Sequence, residues 1–385
     1  MLKTWLEIFL VSLRLGLTSF GGPVAHLGYF YEEYIKKRKW LTEEQYANLV
    51  ALCQFLPGPA SSQVGFGIGV VRGGLLGGFV SFVGFTFPSI LLLVLFVGFL
   101  QGTDLLDQGY IQGLKVVAVA IVAHALLGMG KKLASDASRA TIAILAMAFT
   151  LLFVQVWSQV VAIILAGIVG FVLWRKQTEG EPSDVNIPIS KTTGTICLLI
   201  FTTLLLLLPL VRDNADILGI FDSFYRAGAL VFGGGHVVLP LLEREMVPLG
   251  WVSSEAFLAG YGAAQAVPGP LFTFASYLGA VMGGWPLALL ATSAIFLPGF
   301  LLLIGTLPFW GKLQQIKGVR AALKGVNAAV VGILLAALYD PIWTSTILRP
   351  IDFVLAVILF AMLSFWKLPA WSVVIVGAVA GWLMV

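Results

Sequence analysis

Charge is what this sequence has least of. Asp, Glu, Lys and Arg make up 11% of its 385 residues, under half of the roughly one quarter found in soluble domains, which excludes a chain kept in water by a charged surface. Cysteine is nearly missing too. Cys53 and Cys197 each stand inside an apolar stretch, so neither a disulfide framework nor a Cys/His metal site of usual spacing is available, and both read as small packing residues. Three histidines leave too little for the acid/base or metal constellation a membrane enzyme gathers at one interface. A nucleotide-driven pump would need G-x-x-x-x-G-K-[ST], and Gly128-Met129-Gly130-Lys131-Lys132 lacks the upstream glycine. The net charge of +4 and pI near 9.0 come from short basic clusters between apolar runs, where they orient helices and leave no nucleic-acid footprint. No enzyme activity, cofactor, metal or nucleic-acid partner is expected.

What is present is apolar: 59% hydrophobic residues and a mean hydropathy of +0.98, with 43 Gly, 17 Pro and 11 Trp. That composition indicates an all-α polytopic membrane protein, because Gly and Pro are commoner in spanning helices and Trp collects at the interfaces. At about 20 apolar residues per helix, the chain has room for roughly ten. Glu7 falls inside what would be a signal h-region and no small-residue cleavage site precedes Gly21-Gly22, so the first helix is expected to be retained.

The chain reads as two copies of one unit. Phe20-Gly21-Gly22 recurs as Phe232-Gly233-Gly234, Trp40 as Trp251, Gln54-Phe55-Leu56-Pro57-Gly58-Pro59 as Gln265-Ala266-Val267-Pro268-Gly269-Pro270, and Phe87-Pro88 as Leu297-Pro298, each about 211 residues on. Polar positions follow: Arg14 with Arg226, Glu32 with Glu243, Lys115 with Lys324, Arg139 with Arg349. The expected organisation is a first repeat at 1–176, a linker with an extra transmembrane helix at 177–215, and a second repeat at 216–385.

One additional crossing between two copies turns the second over. Lys36-Lys37-Arg38-Lys39, Arg72, Lys131-Lys132, Arg139 and Arg175-Lys176 in the first copy are basic, whereas 101–110 and 154–158 lack Lys and Arg; in the second copy Lys312, Lys317, Arg320 and Lys324 fall in the counterpart of 101–110. By the positive-inside rule the repeats are inverted, a construction that places a transporter's substrate near the midplane at the repeat interface. Full spans are expected at Leu75–Leu100, Gly113–Met129, Thr141–Val154 and Gln159–Leu173, and again at Leu287–Phe309, Val326–Leu338, Ile351–Phe365 and Ala370–Val385. The segments 5–36 and 45–70 break at Gly21-Gly22-Pro23 and Pro57-Gly58-Pro59, enter and return on one side, and read as discontinuous or re-entrant. Irregular backbone at membrane depth survives only where protein or a wet cavity satisfies it, so four such breaks imply a central polar site.

The chemistry sits at those breaks. Pro59 suits a first helical turn, leaving the N–H groups of Ala60, Ser61 and Ser62 free for an anion, with two hydroxyls beside them. After Pro270 the same role falls to Leu271, Phe272 and Thr273, Thr273 replacing Ser62. Gly21-Gly22 and Gly233-Gly234-Gly235 allow close backbone approach, to a ligand or to a neighbouring helix, and His26 and His236 lie just inside the helices that follow. Arg14 and Arg226 stand within apolar segments, where a cation costs about 2.5 kcal/mol or more; they suit a divalent anion, or else pair internally with Glu7 and Asp222 or snorkel. Lys115 and Lys324 are substrate cations or snorkelling anchors. Gln54 and Gln265 donate to a ligand or to broken backbone, His124 reads as a packed residue, and Glu32, Glu33, Glu243 and Glu245 carry coupling protons or are interface charges.

Phe20-Gly21-Gly22-Pro23-Val24-Ala25-His26, the basic cluster before Trp40, Gln54-Phe55-Leu56-Pro57-Gly58-Pro59 and their echoes in the second copy resemble the chromate ion transporter family in its fused two-repeat form, over the whole chain. The resemblance implies a bacterial plasma-membrane exporter of chromate conferring resistance, driven by the proton motive force, with sulfate, a dianion of similar shape, as the alternative substrate. The second copy has Gly235-His236 where the first has Pro23-Val24-Ala25-His26, so the histidines are not equivalent. An oxyanion channel competes with a secondary transporter working by alternating access, with the broken helices moving against the complete spans. A homodimer is one assembly open to it.

Overall fold

Backbone in hydrocarbon must satisfy its own hydrogen bonds, and helices do so within one segment. The computed structural model describes residues 2–20, 22–101, 109–153, 156–176, 189–232, 237–310 and 317–384, which hold fifteen α-helices and, among the described residues, no strand. They are α1 (Leu2–Thr18), α2 (Gly22–Phe30, running on as a π-helical turn Tyr31–Lys37), α3 (Glu43–Phe55), α4 (Ala60–Gln101), α5 (Gly109–Leu133), α6 (Ala137–Leu152), α7 (Val156–Trp174) and α8 (Lys191–Val211). Then come α9 (Asp216–Leu230), α10 (Val238–Met246), α11 (Ser254–Ala264), α12 (Phe274–Thr306, preceded by a 3₁₀ turn Leu271–Thr273), α13 (Lys317–Ala337), α14 (Pro350–Ser364) and α15 (Ala370–Leu383). The order α1 to α7 recurs as α9 to α15, with α8 between.

Two of the long apolar stretches are hairpins. α4 loses helical geometry at Gly73-Gly74 and α12 at Gly283-Gly284, with φ of +68° at Gly74 and +67° at Gly284, a region glycine adopts without a side-chain penalty. The limbs of α4 then lie together: Ser81 Oγ donates to the Gly65 carbonyl at 2.9 Å, and Gly69 and Gly77 meet backbone to backbone. The short limb, 60–72, starts at the Pro57-Gly58-Pro59 break and the long one, 75–101, crosses. Apolar stretches long enough to cross a bilayer are Ala60–Phe99, Ile111–Lys131, Lys191–Val211, Leu271–Phe309 and Gly318–Trp343, and four shorter apolar helices are Ala137–Leu152, Ser158–Trp174, Pro350–Ser364 and Ala370–Leu383.

The enter-and-return path of the first copy is visible in its contacts. Trp5 Nε1 donates to the Gly73 carbonyl at 3.0 Å, Glu7 pairs with Arg38 at 3.0 Å and Arg72 at 3.6 Å, and both guanidinium groups lie over the Trp40 ring at 5.7 and 5.5 Å. The start of α1, the end of α2 and its π-helical turn, and the 72–74 turn therefore share one end of the molecule. α3 begins at the same end under a capping box, with Gln45 N donating to Thr42 Oγ1 at 3.2 Å and Thr42 N to Gln45 Oε1 at 3.0 Å. Ser253 caps α11 in the equivalent place.

The helices sort into two bundles. α1 to α4 and α9 to α12 pack around the α4–α12 contact, while α5 to α7 and α13 to α15 form the other. In the second bundle the copies exchange partners: α5 packs against α14 and α15, and α13 against α6 and α7. Glycines make the crossings. Gly113 of α5 abuts Gly377 and Gly381 of α15, Gly325 of α13 abuts Ala166 and Gly170 of α7, and Gly332 abuts Ala143 of α6, the close approach by which helices attract one another in lipid.

A methyl group at Gly332 would meet the Ala143 carbonyl, whereas Gly128 in α5 faces open space. Gly332→Ala is expected to cost roughly 1–3 kcal/mol by overpacking and to lower the thermal midpoint in detergent. Gly128→Ala is expected to raise it slightly, since alanine in a helix is better by about 0.5–1 kcal/mol. Thermal unfolding of the two purified variants against the parent checks both signs.

Candidate functional site

Each Pro-Gly-Pro break bonds to the chain just past the first helix of the other copy. α3 stops because Leu56, ahead of Pro57, is held extended at φ −79° and ψ 150°, and the chain turns at Gly58, whose φ is +114°. Gly58 N donates to the Val231 carbonyl at 2.7 Å, just past the end of α9 in the other copy. Gln63 ties the loop down from inside, donating to the Pro57 carbonyl at 3.2 Å and the Gly299 carbonyl of α12 at 2.9 Å. The reciprocal pair repeats this. Gly269, φ +100°, donates from N to the Ser19 carbonyl at 2.9 Å, just past α1, and Ser89 of α4 donates to the Pro268 carbonyl at 2.5 Å. A side chain at Gly269 would occupy the place of the Ser89 hydroxyl, and one at Gly58 would stand 3.2 Å from the Gly299 Cα.

Around these pairs lie polar groups without partners. His26 in α2 is 1% exposed; its Nδ1 is 3.2 Å from Ser61 Oγ and its ring meets the Phe85 edge at 5.4 Å. Among the described residues, the buried atoms with no hydrogen-bond partner include His26 Nε2, Ser19 Oγ, Ser62 Oγ, Thr86 Oγ1, Gln63 Oε1 and Gln265 Nε2, and elsewhere Trp310 Nε1, Ser345 Oγ and Thr346 Oγ1. Native proteins rarely leave such groups unpaired, and each unmet one costs about 1–3 kcal/mol, so these are the side chains with most to gain from a polar ligand. The first intrahelical bond of α4 is Gln63 N to the Pro59 carbonyl at 2.9 Å, which leaves the N–H groups of Ala60, Ser61 and Ser62 ahead of it.

The second copy departs from the expected match. The 3₁₀ turn after Pro270 spends both Thr273 N, at 3.0 Å, and Thr273 Oγ1, at 2.7 Å, on the Pro270 carbonyl, so Thr273 is not a counterpart of Ser62. Gln54 is exposed while its match Gln265 is more than half buried with an unpartnered amide nitrogen. The arginines part as well. Arg226 is held in a cluster balanced in charge: its Nη2 is 2.9 Å from both Asp222 and Glu245, Arg212 approaches the same carboxylates at 3.3 Å, and Ser223 donates to Glu245 at 3.1 Å. Arg14 lies on the exposed face of α1 that also carries Leu6, Leu10 and Leu17, and Glu7, its expected partner, is engaged by Arg38 and Arg72.

Lys115 is buried in α5, the one Lys or Arg so placed among the described residues, whereas Lys324 and Glu32 are exposed and Glu243 is half-buried. Gly22 opens α2; Gly21, Gly233, Gly234, Gly235 and His236 lie outside the described residues. Gln63, Ser89, Ser19 and Thr86 were not anticipated. Their signal is an isolated polar residue in an apolar run, most plainly Ser89 directly after Pro88.

Because Asp222 and Glu245 would be left facing one arginine between them, Arg226→Met is expected to cost about 3–5 kcal/mol and to sharply reduce monodisperse protein after detergent extraction. Arg14→Met, on an exposed face, is expected to stay within about 0.5 kcal/mol of the parent. Size-exclusion profiles and melting curves of the two variants distinguish the roles.

Comparison with known proteins accords with this arrangement. The sequence profile of the chromate transporter family matches twice, over residues 6–171 and 218–382. The chromate transport protein of Pseudomonas aeruginosa is 28% identical over 98% of this chain and 92% of its own length, and that of Cupriavidus metallidurans 27% identical over 97% and 92%. An uncharacterized transporter of Methanocaldococcus jannaschii is 25% identical over 86% of this chain and 83% of its own. No solved structure matches the chain. The paired profile matches, together with the apolar helices that cross and the broken helices between them, make this chain a multi-pass membrane protein of the chromate transporter family.

Proposed function

We propose that the protein is a secondary transporter of the bacterial plasma membrane that exports chromate, a tetrahedral dianion, by alternating access and at the expense of the proton motive force. The observation that carries this reading is the bonding of each Pro-Gly-Pro break to the end of the other copy's first helix, beside buried, unpartnered polar groups. A dianion needs several convergent N–H and O–H groups and a compensating positive charge. Ala60, Ser61 and Ser62 supply backbone donors at the amino end of α4, His26, Ser62 and Gln265 supply side chains, and Lys115, buried in α5 as α5 passes α11, supplies the charge. An intramembrane lysine is costly unless its function repays it.

The paired profile matches support two repeats with the bounds 1–176 and 216–385, and the path of the chain supports their inversion. From the basic end that holds Lys36, Arg38 and Arg72, the limb 75–101 and then α5, α6, α7 and α8 cross five times before α9 begins, an odd number that delivers the second copy from the opposite side. The division into two bundles supports movement of one against the other, with the long limbs of α4 and α12 travelling with the broken helices they pack on. Glu32 and Glu243 are the carboxylates assigned to proton coupling.

Uptake of radiolabelled chromate and sulfate into everted vesicles under a proton gradient tests the reading. Saturable chromate accumulation is expected, reduced about tenfold or more by Lys115→Met and by His26→Ala, since a hydrogen bond to a charged group is worth about 1.5–3 kcal/mol, and within twofold of the parent in Arg14→Ala. Preferential sulfate accumulation would reassign the protein to general oxyanion transport. Non-saturable flux indifferent to the gradient would make it a channel.

A further inference from the structure

A cavity of about 460 Å³ lies on the Gln265 side of the paired breaks. Its wall is made by Ile121, His124 and Ala125 of α5, by Gln265 and Gly269 at the second-copy break, and by the turn that follows α14, which contributes Ser364 and Lys367. The inner end is therefore the Gly269 peptide that bonds Ser19, and the Gln265 amide, buried and unpartnered. At the turn stands an exposed cation, and it is held there against backbone preference. Lys367 has φ +54° in the position that closes a helix, with Trp366 N donating to the Ala361 carbonyl at 3.1 Å and Leu368 N to the Met362 carbonyl at 2.9 Å. Glycine is the ordinary residue at such a closure, and a side chain kept in this region points to a purpose beyond the turn. His124 Nδ1 and Ser364 Oγ, 2.9 Å apart, fasten the turn to α5 and fix the mouth.

We propose that this cavity is the vestibule through which the oxyanion reaches the paired breaks, and that Lys367 is the specificity-determining residue at its mouth, drawing in dianions ahead of neutral or singly charged solutes. The inference rests on the proposed oxyanion transport. Lys131 stands in the last turn of α5 on this side and Lys367 belongs to the same side, so the vestibule faces the cytoplasm. A low-dielectric cleft with a cation at its lip focuses field on the approaching anion, and a lone charge acting on a dianion across several ångströms is worth on the order of fivefold in apparent affinity at low salt.

Two measurements test this. In everted vesicles, Lys367→Gly is expected to raise the KM for chromate about fivefold with Vmax within twofold, to lose that difference at high salt, and to be rescued by Lys367→Arg. The glycine variant eases the backbone, so a folding defect does not account for a loss. An unchanged KM with saturable parental flux overturns the vestibule and leaves the transport reading intact; no chromate or sulfate flux in the parent overturns the transport reading. The second readout needs no turnover. Purified Ala125→Cys is treated with an anionic and a cationic thiol reagent, the parent with its buried Cys53 and half-buried Cys197 serving as blank. Adding Lys367→Glu is expected to slow the anionic reagent several-fold and not the cationic one, and equal rates in the two backgrounds overturn the proposal.

Discussion

Two backbone hydrogen bonds carry the centre of this protein: Gly58 N to the Val231 carbonyl and Gly269 N to the Ser19 carbonyl. A broken helix exposes N–H and C=O groups that hydrocarbon cannot satisfy, and each would cost several kcal/mol if left to lipid. Joining the break of one copy to the break of the other meets part of that demand with the least material, one peptide against another. The glycines follow from it, because the donors reach their acceptors only through a left-handed turn and against a neighbour, Gly299 or Ser89, that leaves no room for a side chain. Gln63 and Ser89 then satisfy one loop carbonyl in each copy, those of Pro57 and Pro268. Several side-chain groups stay unsatisfied there, His26 Nε2, Ser62 Oγ and Gln265 Nε2 among them.

The two halves of the site are related without being equal. The first-copy helix start keeps free N–H groups and hydroxyls at Ser61 and Ser62, while the second spends Thr273 on its own turn. Both copies carry a charge cluster: Arg212, Asp222, Arg226 and Glu245 lock α9 to α10, and in the first copy Arg38 joins Glu7 to Glu33, with Arg72 on Glu7 and Lys37 on Glu33, through more exposed cations.

Much of the architecture was legible because hydropathy and helix-breaking residues are local signals. The runs beginning at Leu75 and Leu287, the enter-and-return path of residues 5–36, and the helix start after Pro59 all follow from composition, charge placement and the missing N–H of proline. What was not legible depends on which face a residue presents after packing. Arg14 and Arg226 are matched in sequence, yet a half-turn of context puts one among exposed leucines and the other between two carboxylates. The sequence left Lys115 as substrate cation or snorkelling anchor, and its burial, on a helix that packs against α11, α14 and α15, could not be foreseen from α5 alone. The roles of Gln63 and Ser89 exist only across copies, at a sequence separation no pattern within one helix reports.

The exchange of partners between α5 and α13 has a consequence for how the chain is made. α5 leaves the ribosome early, but the surface that receives Gly113 belongs to α15, at the far end of the second copy. The first copy therefore waits, inserted and incompletely packed, until α15 of the second copy has been translated, and its glycine seam is open to lipid or to a chaperone in the interval. Loss of α15 would be felt first near the beginning of the chain, at a helix inserted some hundreds of residues earlier.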